Sequence, residues 1–311
     1  MNAHAVVVEQ PLTLRVRELA LAEPGENDLL VDIDWSGIST GTEKLLWSGR
    51  MPTFPGMGYP LVPGYESVGR VAFAGANTQY DIGERVFVPG AACFGEVRGL
   101  FGGAASRLVI PALRALRVAD DLGERGTLLA LAATAYHANA GGATPPELIV
   151  GHGVLGRMIA RLAVIAGGNP VVWETNPARR EGAQDYIVID PADDTRSNYR
   201  TICDVSGDAS VLDRLIARMA PGGEIVLAGF YDAPINFAFA PAFMREVRLR
   251  VAAQWKPSDL LAVRDLAESG RLSLDGLITH RSSPAYAEQA YRTAFSDPDC
   301  LKMILDWRES P

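Results

Sequence analysis

The sequence predicts an α/β protein of two domains, an irregular β-barrel joined to a doubly wound parallel sheet. Three observations predict it. Short apolar runs of period two, broken by Gly and Pro, fill the chain to about residue 120; strand and helix patterns alternate beyond that point; and a glycine-rich turn at residues 151–156 stands between a strand and a helix. With 311 residues the chain is long enough for two cores.

In the first half, Leu29, Val31, Ile33 and Trp35 alternate with Leu30, Asp32 and Asp34, which reads as a strand with one apolar and one mixed face. Runs at Ser67–Ala74, Arg85–Val88 and Arg107–Ile110 follow, separated by Pro55-Gly56, Pro63-Gly64, Pro89-Gly90 and Gly102-Gly103. A helix is expected across Thr127–Ala140, closing at Gly141-Gly142. Glu147–Val150, Arg157–Ala166 and Val171–Trp173 then form strand, helix and strand, a βαβ unit whose helix places Ile159, Leu162, Ala163 and Ala166 on one face. A second unit runs from Ile202–Val205 through a helix carrying Leu212, Leu215, Ile216 and Met219, past Pro221-Gly222-Gly223, to Glu224–Ala228. In the last sixty residues a helix at Ser258–Ser269 stops at Gly270, an apolar run lies at Leu277–Thr279, and Ser283-Pro284 opens another helix with Ser as cap and Pro in the first turn.

Composition narrows the partners. The balance of 29 basic against 37 acidic residues gives a net charge of -8, which repels phosphate backbones, so no nucleic-acid partner is expected. The apolar run Ala5–Val8 is short and leads into Glu9 and Pro11, unlike an export signal. No window reaches the roughly 18 apolar residues of a membrane span, and a soluble, cytoplasmic protein is expected. Three dispersed cysteines, Cys93, Cys203 and Cys300, read as reduced thiols.

The clearest chemical motif is Gly151-His152-Gly153-Val154-Leu155-Gly156. Gly151 permits the tight turn, Gly153 lets the backbone approach a pyrophosphate, Gly156 allows close packing, and the helix N-terminus beyond supplies free N–H groups. His152 either lies against the cofactor phosphates or faces solvent. Eighteen residues beyond Gly156, Glu174 stands where a carboxylate would hold the adenosine ribose and repel a 2′-phosphate. NAD is therefore expected ahead of NADP, which Arg179 and Arg180 keep open.

Ser36-Gly37-Ile38-Ser39, Val62-Pro63-Gly64-Tyr65-Glu66-Ser67-Val68-Gly69, the glycine motif and Pro221-Gly222-Gly223 together resemble the medium-chain dehydrogenase/reductase superfamily. The resemblance implies a GroES-like β-barrel domain formed by residues 1–121 and 255–311 and a Rossmann domain over 122–254. In zinc alcohol dehydrogenases of that superfamily a Cys ligand stands at the position of Ser39 and a His ligand at that of Tyr65; Glu66 alone matches. Leu128–Ala133 contain no third cysteine ligand, and three protein ligands are what a catalytic zinc requires. A zinc-free enzyme is expected.

Gly41-Thr42-Glu43-Lys44, Trp47-Ser48-Gly49-Arg50-Met51-Pro52 and Phe54-Pro55-Gly56-Met57-Gly58-Tyr59-Pro60 are similar to a narrower family, the bacteriochlorophyllide a dehydrogenases. That resemblance implies NAD-dependent oxidation of a hydroxyethyl substituent on a tetrapyrrole to an acetyl group, in a photosynthetic bacterium. Tyr65 is then the first candidate for the catalytic base, followed by Glu66, Lys44 and His137, with Ser39 as an anchor for the alcohol. Trp47, Phe54, Met57 and Tyr59 are candidate plates for a flat macrocycle and Arg50 a partner for its carboxylate. Each of these side chains also has a structural reading, as a packed aromatic, a surface charge or a local hydrogen-bonding group. The superfamily offers Arg248–Ala253 as a possible homodimer seam, and sequence leaves open the oligomer and any peripheral contact with the membrane surface where such pigments are handled. Two other functions remain open: an NADPH-dependent quinone or enoyl reductase, and a noncatalytic dinucleotide sensor.

Overall fold

A computed structural model describes residues 1–140 and 144–308. The chain divides into two compact units, Met1–Ala130 with Asp275–Pro311, and Leu131–Leu274. The expected boundaries at 121/122 and 254/255 thus move to 130/131 and 274/275. The helix at Pro257–Glu268, which the sequence assigned to the barrel domain, belongs to the second unit.

The first unit is built from β1 (Asn2–Gln10), β2 (Thr13–Ala20), β3 (Asp28–Ile38), α1 (Thr42–Ser48), β4 (Leu61–Val62), β5 (Ser67–Ala74), β6 (Arg85–Val88), β7 (Arg98–Gly99), β8 (Arg107–Pro111) and β9 (Leu116–Arg117). The C-terminal return adds β16 (His280–Ser282), α7 (Ala287–Ser296) and β17 (Met303–Asp306). One sheet has the order β2-β1-β4-β7; the other has the order β16-β17-β3-β5-β6-β9, with β8 also paired to β3. The apolar run Ala5–Val8 is the core of β1. Its four side chains are almost wholly buried, and removing each from water contributes about 1.5–3 kcal/mol for the valines.

β3 organises this unit. It pairs antiparallel with β17 (Met303 opposite Ile38), with β5 (Ser36 opposite Ser67) and with β8 (Asp28 opposite Pro111). Sequence alternation predicted one apolar and one mixed face, yet from Trp35 to Ile38 every residue is buried, because strands flank it on both sides and the C-terminal return covers it. The apolar run Leu277–Thr279 is not itself a strand; the strand follows it at β16. Ser283 caps the short 3-10 turn Pro284–Tyr286 that leads into α7, with Pro in its first turn as the Ser-Pro pair predicts, its hydroxyl accepting from the Ala285 N–H.

The second unit holds α2 (Leu129–Ala140, most of which it contains), β10 (Leu148–Val150), α3 (Val154–Ile165), β11 (Val171–Trp173), β12 (Ile187–Ile189), β13 (Tyr199–Asp204), α4 (Leu212–Arg218), β14 (Met219–Leu227), α5 (Phe239–Met244), β15 (Arg248–Val251) and α6 (Pro257–Glu268). Its six strands are all parallel, in the order β12-β11-β10-β13-β14-β15. That is the doubly wound arrangement, in which strand order reverses beside the first strand and leaves a crevice at the strand ends. Leu148, Ile149 and Val150 of β10 are all buried, as expected where helices cover both faces. The expected helix stop at Gly141-Gly142 lies outside the described residues. No helix among the described residues is long and apolar enough to cross a membrane.

Candidate active site

In the barrel unit the site grows from the register of β3 and β5. Pairing Ser36 with Ser67 brings the residue just past β3, Ser39, to Tyr65, two residues before β5, and the Gly37 N–H donates to the Glu66 carbonyl at 2.8 Å. Ser39 Oγ and Tyr65 Oη consequently lie 2.7 Å apart in a hydrogen bond, with Thr42 Oγ1 3.5 Å from the same phenol. Phe101 stands edge-on to the Tyr65 ring. Burial, reinforced by Glu66, pushes the Tyr65 phenol well above its ordinary range, against the lowering pull of the Ser39 bond. Tyr65 is therefore a hydrogen-bonding phenol in this setting and a poor base, contrary to its ranking from sequence.

Glu66, next to Tyr65 in the chain, belongs to a buried ion pair. Glu66 is fully buried and accepts from the Lys302 ammonium, which also donates to the Ile38 carbonyl at 3.1 Å. A Cβ on Gly37 would fall 2.2 Å from Glu66 Oε2, so this glycine leaves the passage the carboxylate occupies. Among the described residues Glu66 Oε1 has no hydrogen-bond partner. A second carboxylate, Glu43 on α1, is also buried; it accepts from the Ser39 N–H at 3.0 Å and from the Tyr291 hydroxyl at 2.7 Å. Burial is the main cause that lifts Glu43 to about 7, with the Glu66 charge adding to it.

Several expected site residues are engaged elsewhere. Lys44 donates to the Phe295 carbonyl at 3.1 Å and thereby ties α1 to α7. Trp47 packs against Phe295 with ring centroids 5.6 Å apart, and the Arg292 guanidinium covers its ring, so it is a packed aromatic rather than a free plate. Phe54, Met57 and Tyr59 are partly buried against the barrel core, and the Tyr59 hydroxyl donates to the Leu46 carbonyl. Arg50 is exposed, with Nε donating to Ser48 Oγ at 3.2 Å.

In the second unit the glycine turn has the backbone its motif requires. Gly151 adopts φ +104°, a Cβ on Gly156 would meet the Gly151 carbonyl at 1.9 Å, and a Cβ on Gly153 would meet open space. Val154 and Leu155 begin α3, whose N-terminus faces the turn. Glu174, one residue past β11, is held by two backbone donors, His152 N at 3.0 Å and Asn176 N at 2.8 Å. These residues fit a dinucleotide: open approach at Gly153, free N–H groups of α3, and an oriented carboxylate at the ribose position.

His152 neither contacts phosphates through its ring nor faces solvent. It is fully buried, Nδ1 lying 2.6 Å from the Arg179 carbonyl and Nε2 2.8 Å from the Tyr186 hydroxyl. Burial pulls its pKa down to about 4, so the ring is neutral. A carbonyl only accepts, hence Nδ1 carries the proton and Nε2 accepts from Tyr186. Arg157 completes this clamp by donating to the carbonyls of His152, Arg179, Glu181 and Gly182. Arg179 thus contributes its carbonyl to the loop, and Arg180 is spent on the Glu174 and Thr175 carbonyls and on Asp190. His137 is likewise structural: it bonds Asp259 at 2.8 Å and so braces α2 against the start of α6.

Sequence reasoning missed Thr42, Glu43, Tyr291 and Lys302 in the barrel unit and took Arg157 only as the start of a helix. Lys302 carried a usable signal, a lone cation inside the run Cys300–Leu305; lysine is buried only when paired.

The zinc of related barrels does not fit these residues. Ser39 and Tyr65 are neutral hydroxyls bonded to each other, and the Glu66 charge is already met by Lys302. Among the described residues no cluster of three or more His, Cys, Asp or Glu is placed to hold a metal.

Residues 25–120 match the Alcohol dehydrogenase GroES-like domain family. Over its full length the chain is 58% identical to the 2-desacetyl-2-hydroxyethyl bacteriochlorophyllide A dehydrogenase of Rhodobacter capsulatus, covering 100% of both chains. It is also 58% identical to the protein of that name from Cereibacter sphaeroides, over 99% of each. Among solved structures, a dehydrogenase from Escherichia coli CFT073 complexed with NADH superposes with a TM-score of 0.84 at 20% identity, over 98% of this chain and 99% of that one. The chain belongs to the bacteriochlorophyllide a dehydrogenase family of the medium-chain dehydrogenase/reductase superfamily.

Proposed function

We propose that this oxidoreductase converts the hydroxyethyl side chain of a bacteriochlorophyllide to an acetyl group, with NAD as acceptor and no metal at the alcohol. Full-length identity of 58% to two proteins named for that reaction carries the substrate assignment. The Ser39–Tyr65 pair supports the chemistry, since two hydroxyls 2.7 Å apart suit a substrate alcohol and stabilise charge developing on its oxygen. Oxidation transfers the carbinol hydrogen as hydride to the dinucleotide and releases the hydroxyl proton to water, so that alcohol and NAD give ketone, NADH and one proton. The bound dinucleotide supplies the hydride acceptor. Here the carbinol carbon adjoins the aromatic macrocycle, so positive character is delocalised and the ketone is conjugated, which lowers the need for a Lewis acid.

NAD is favoured because Glu174 is fixed at the ribose position while Arg180 is committed to carbonyls and Asp190. The same arrangement speaks against an NADPH-dependent quinone or enoyl reductase. A homodimer through β15 fits this reading: it is the edge strand of the sheet, and Leu249 and Val251 on it are exposed. A cytoplasmic location with access to pigment at the membrane surface belongs to the same proposal.

The direct experiment incubates metal-stripped protein with NAD and a hydroxyethyl bacteriochlorophyllide, following the pigment band and NADH together. One NADH per acetyl pigment, unaffected by chelator, is the expected result. Dinucleotide binding without turnover of any pigment alcohol would sink the enzyme reading in favour of a sensor.

A further inference from the structure

Two carboxylates and one ammonium are buried near the hydroxyl pair, and the count does not balance if all three are charged. Lys302 is committed to Glu66 and to the Ile38 carbonyl, leaving Glu43 without a cation of its own. Its neighbours are the Ser39 N–H, the Tyr291 hydroxyl of α7 and, through space, Glu66, Tyr65 and Lys302. Lys44, next to it on α1, turns away to the Phe295 carbonyl. The contact with Tyr291 persists in either state of Glu43, and its donation favours the ionised one. An ionised carboxylate accepts the phenol hydrogen, and a protonated carboxyl donates to the phenol oxygen.

We propose that Glu43 is a positioning residue for the alcohol chemistry: its neutral carboxyl fixes Ser39 and leaves the region around the hydroxyl pair without net charge, and its ionisation switches the pair off. Negative charge develops on the substrate oxygen as its proton leaves, and the Ser39–Tyr65 pair stabilises it by donation. An anion at Glu43, bonded to the Ser39 N–H, opposes that charge in a medium of low dielectric. The position of Glu43 near 7 places this change in the working range. The inference rests on the alcohol reaction proposed above, and the first test does not depend on it.

Difference infrared spectroscopy of the wild-type protein should show a protonated-carboxyl band that disappears as pH rises through about 7, and the band should be missing in Glu43→Gln. In turnover with the pigment at saturating NAD, wild-type kcat should fall about tenfold per pH unit beyond that ionisation, while Glu43→Gln lacks the descending limb. Tyr291→Phe removes the donor that favours the ionised form, so its limb should move to higher pH. A wild-type spectrum without the titrating band, or a Glu43→Gln enzyme that keeps the limb, overturns the proposal. If the pigment is not turned over while the band titrates and depends on Glu43, the placement of the carboxyl stands and the alcohol reading fails; loss of activity in Ser39→Ala with an unchanged limb in Glu43→Gln has the reverse meaning.

Discussion

Glu66 and Lys302 illustrate how a single side chain in this molecule is constrained by charge rather than by size. Both are at most 1% exposed, and among the described residues each is the only countercharge that hydrogen-bonds the other. Lys302→Met should lower stability by about 3–5 kcal/mol by stranding the Glu66 carboxylate. Adding Glu66→Gln to that variant should recover much of the loss, and chemical denaturation of the two variants against wild type measures it. Equal stability of the single and double variants would remove the pair from the account. Glu174 makes the corresponding prediction on the dinucleotide side. Glu174→Ala should weaken NAD binding about tenfold or more, the value of a hydrogen bond to a charged group, and should narrow the preference over NADP; calorimetric titration with both dinucleotides decides it. The expectation for Glu174 comes from its spacing to the glycine motif alone, and its contact with the His152 N–H of that turn agrees with the spacing. The pairing of Lys302 with Glu66 was not legible in the sequence, because 236 residues separate them and only the return of β17 onto β3 brings them together.

At the scale of elements, much of the strand and helix pattern could be read directly. Ser67–Ala74, Arg85–Val88 and Val171–Trp173 begin and end where alternation and apolar runs put them, since each is bounded by Gly, Pro or a charged residue. Helix α3 begins three residues earlier than expected, at Val154, because the glycine turn itself launches it. Helix α6 lies within one residue of its expected bounds, at Pro257–Glu268. Its start is stabilised by a capping arrangement in which Asp259 accepts from the Lys256 N–H at 2.8 Å, and the same carboxylate takes His137 of α2. Asp259→Ala should therefore cost about 1–2 kcal/mol through the lost cap and brace, with kcat and both Michaelis constants unchanged. A fall in kcat without a fall in stability would instead return His137 to the list of catalytic candidates. The Trp47–Tyr59 segment shows why residue type is a weak guide to ligand plates: aromatic side chains suited to stacking on a macrocycle are equally suited to stacking on Phe295 and α7.

For the whole molecule, stability and ligand binding are linked through the second unit, which carries the complete glycine turn and Glu174. NAD present at 100 times its dissociation constant should stabilise the native state by about 2.7 kcal/mol, read as a rise in Tm. NADP at the same concentration should raise Tm less, and zinc should give no comparable rise, because neither Ser39 nor Tyr65 is a competent ligand. A zinc-dependent rise abolished by Ser39→Ala would reverse the metal-free reading.

The sequence alone determined the α/β class, the two-domain plan, the glycine turn with its acidic partner, and the replacement of two zinc-ligand positions by Ser39 and Tyr65. All of these are local in the chain: a period, a run, a spacing or a residue type at a motif position. Tertiary structure decided what those residues do to one another. It joined Ser39 to Tyr65, put Lys302 against Glu66, withdrew Lys44, His137 and the His152 ring into structural contacts, and buried Glu43 where its charge is costly. Charge balance and hydrogen-bond partnership depend on which distant segments share a low-dielectric space, and that is set by how strands such as β3, β5 and β17 come into register rather than by any pattern along one of them.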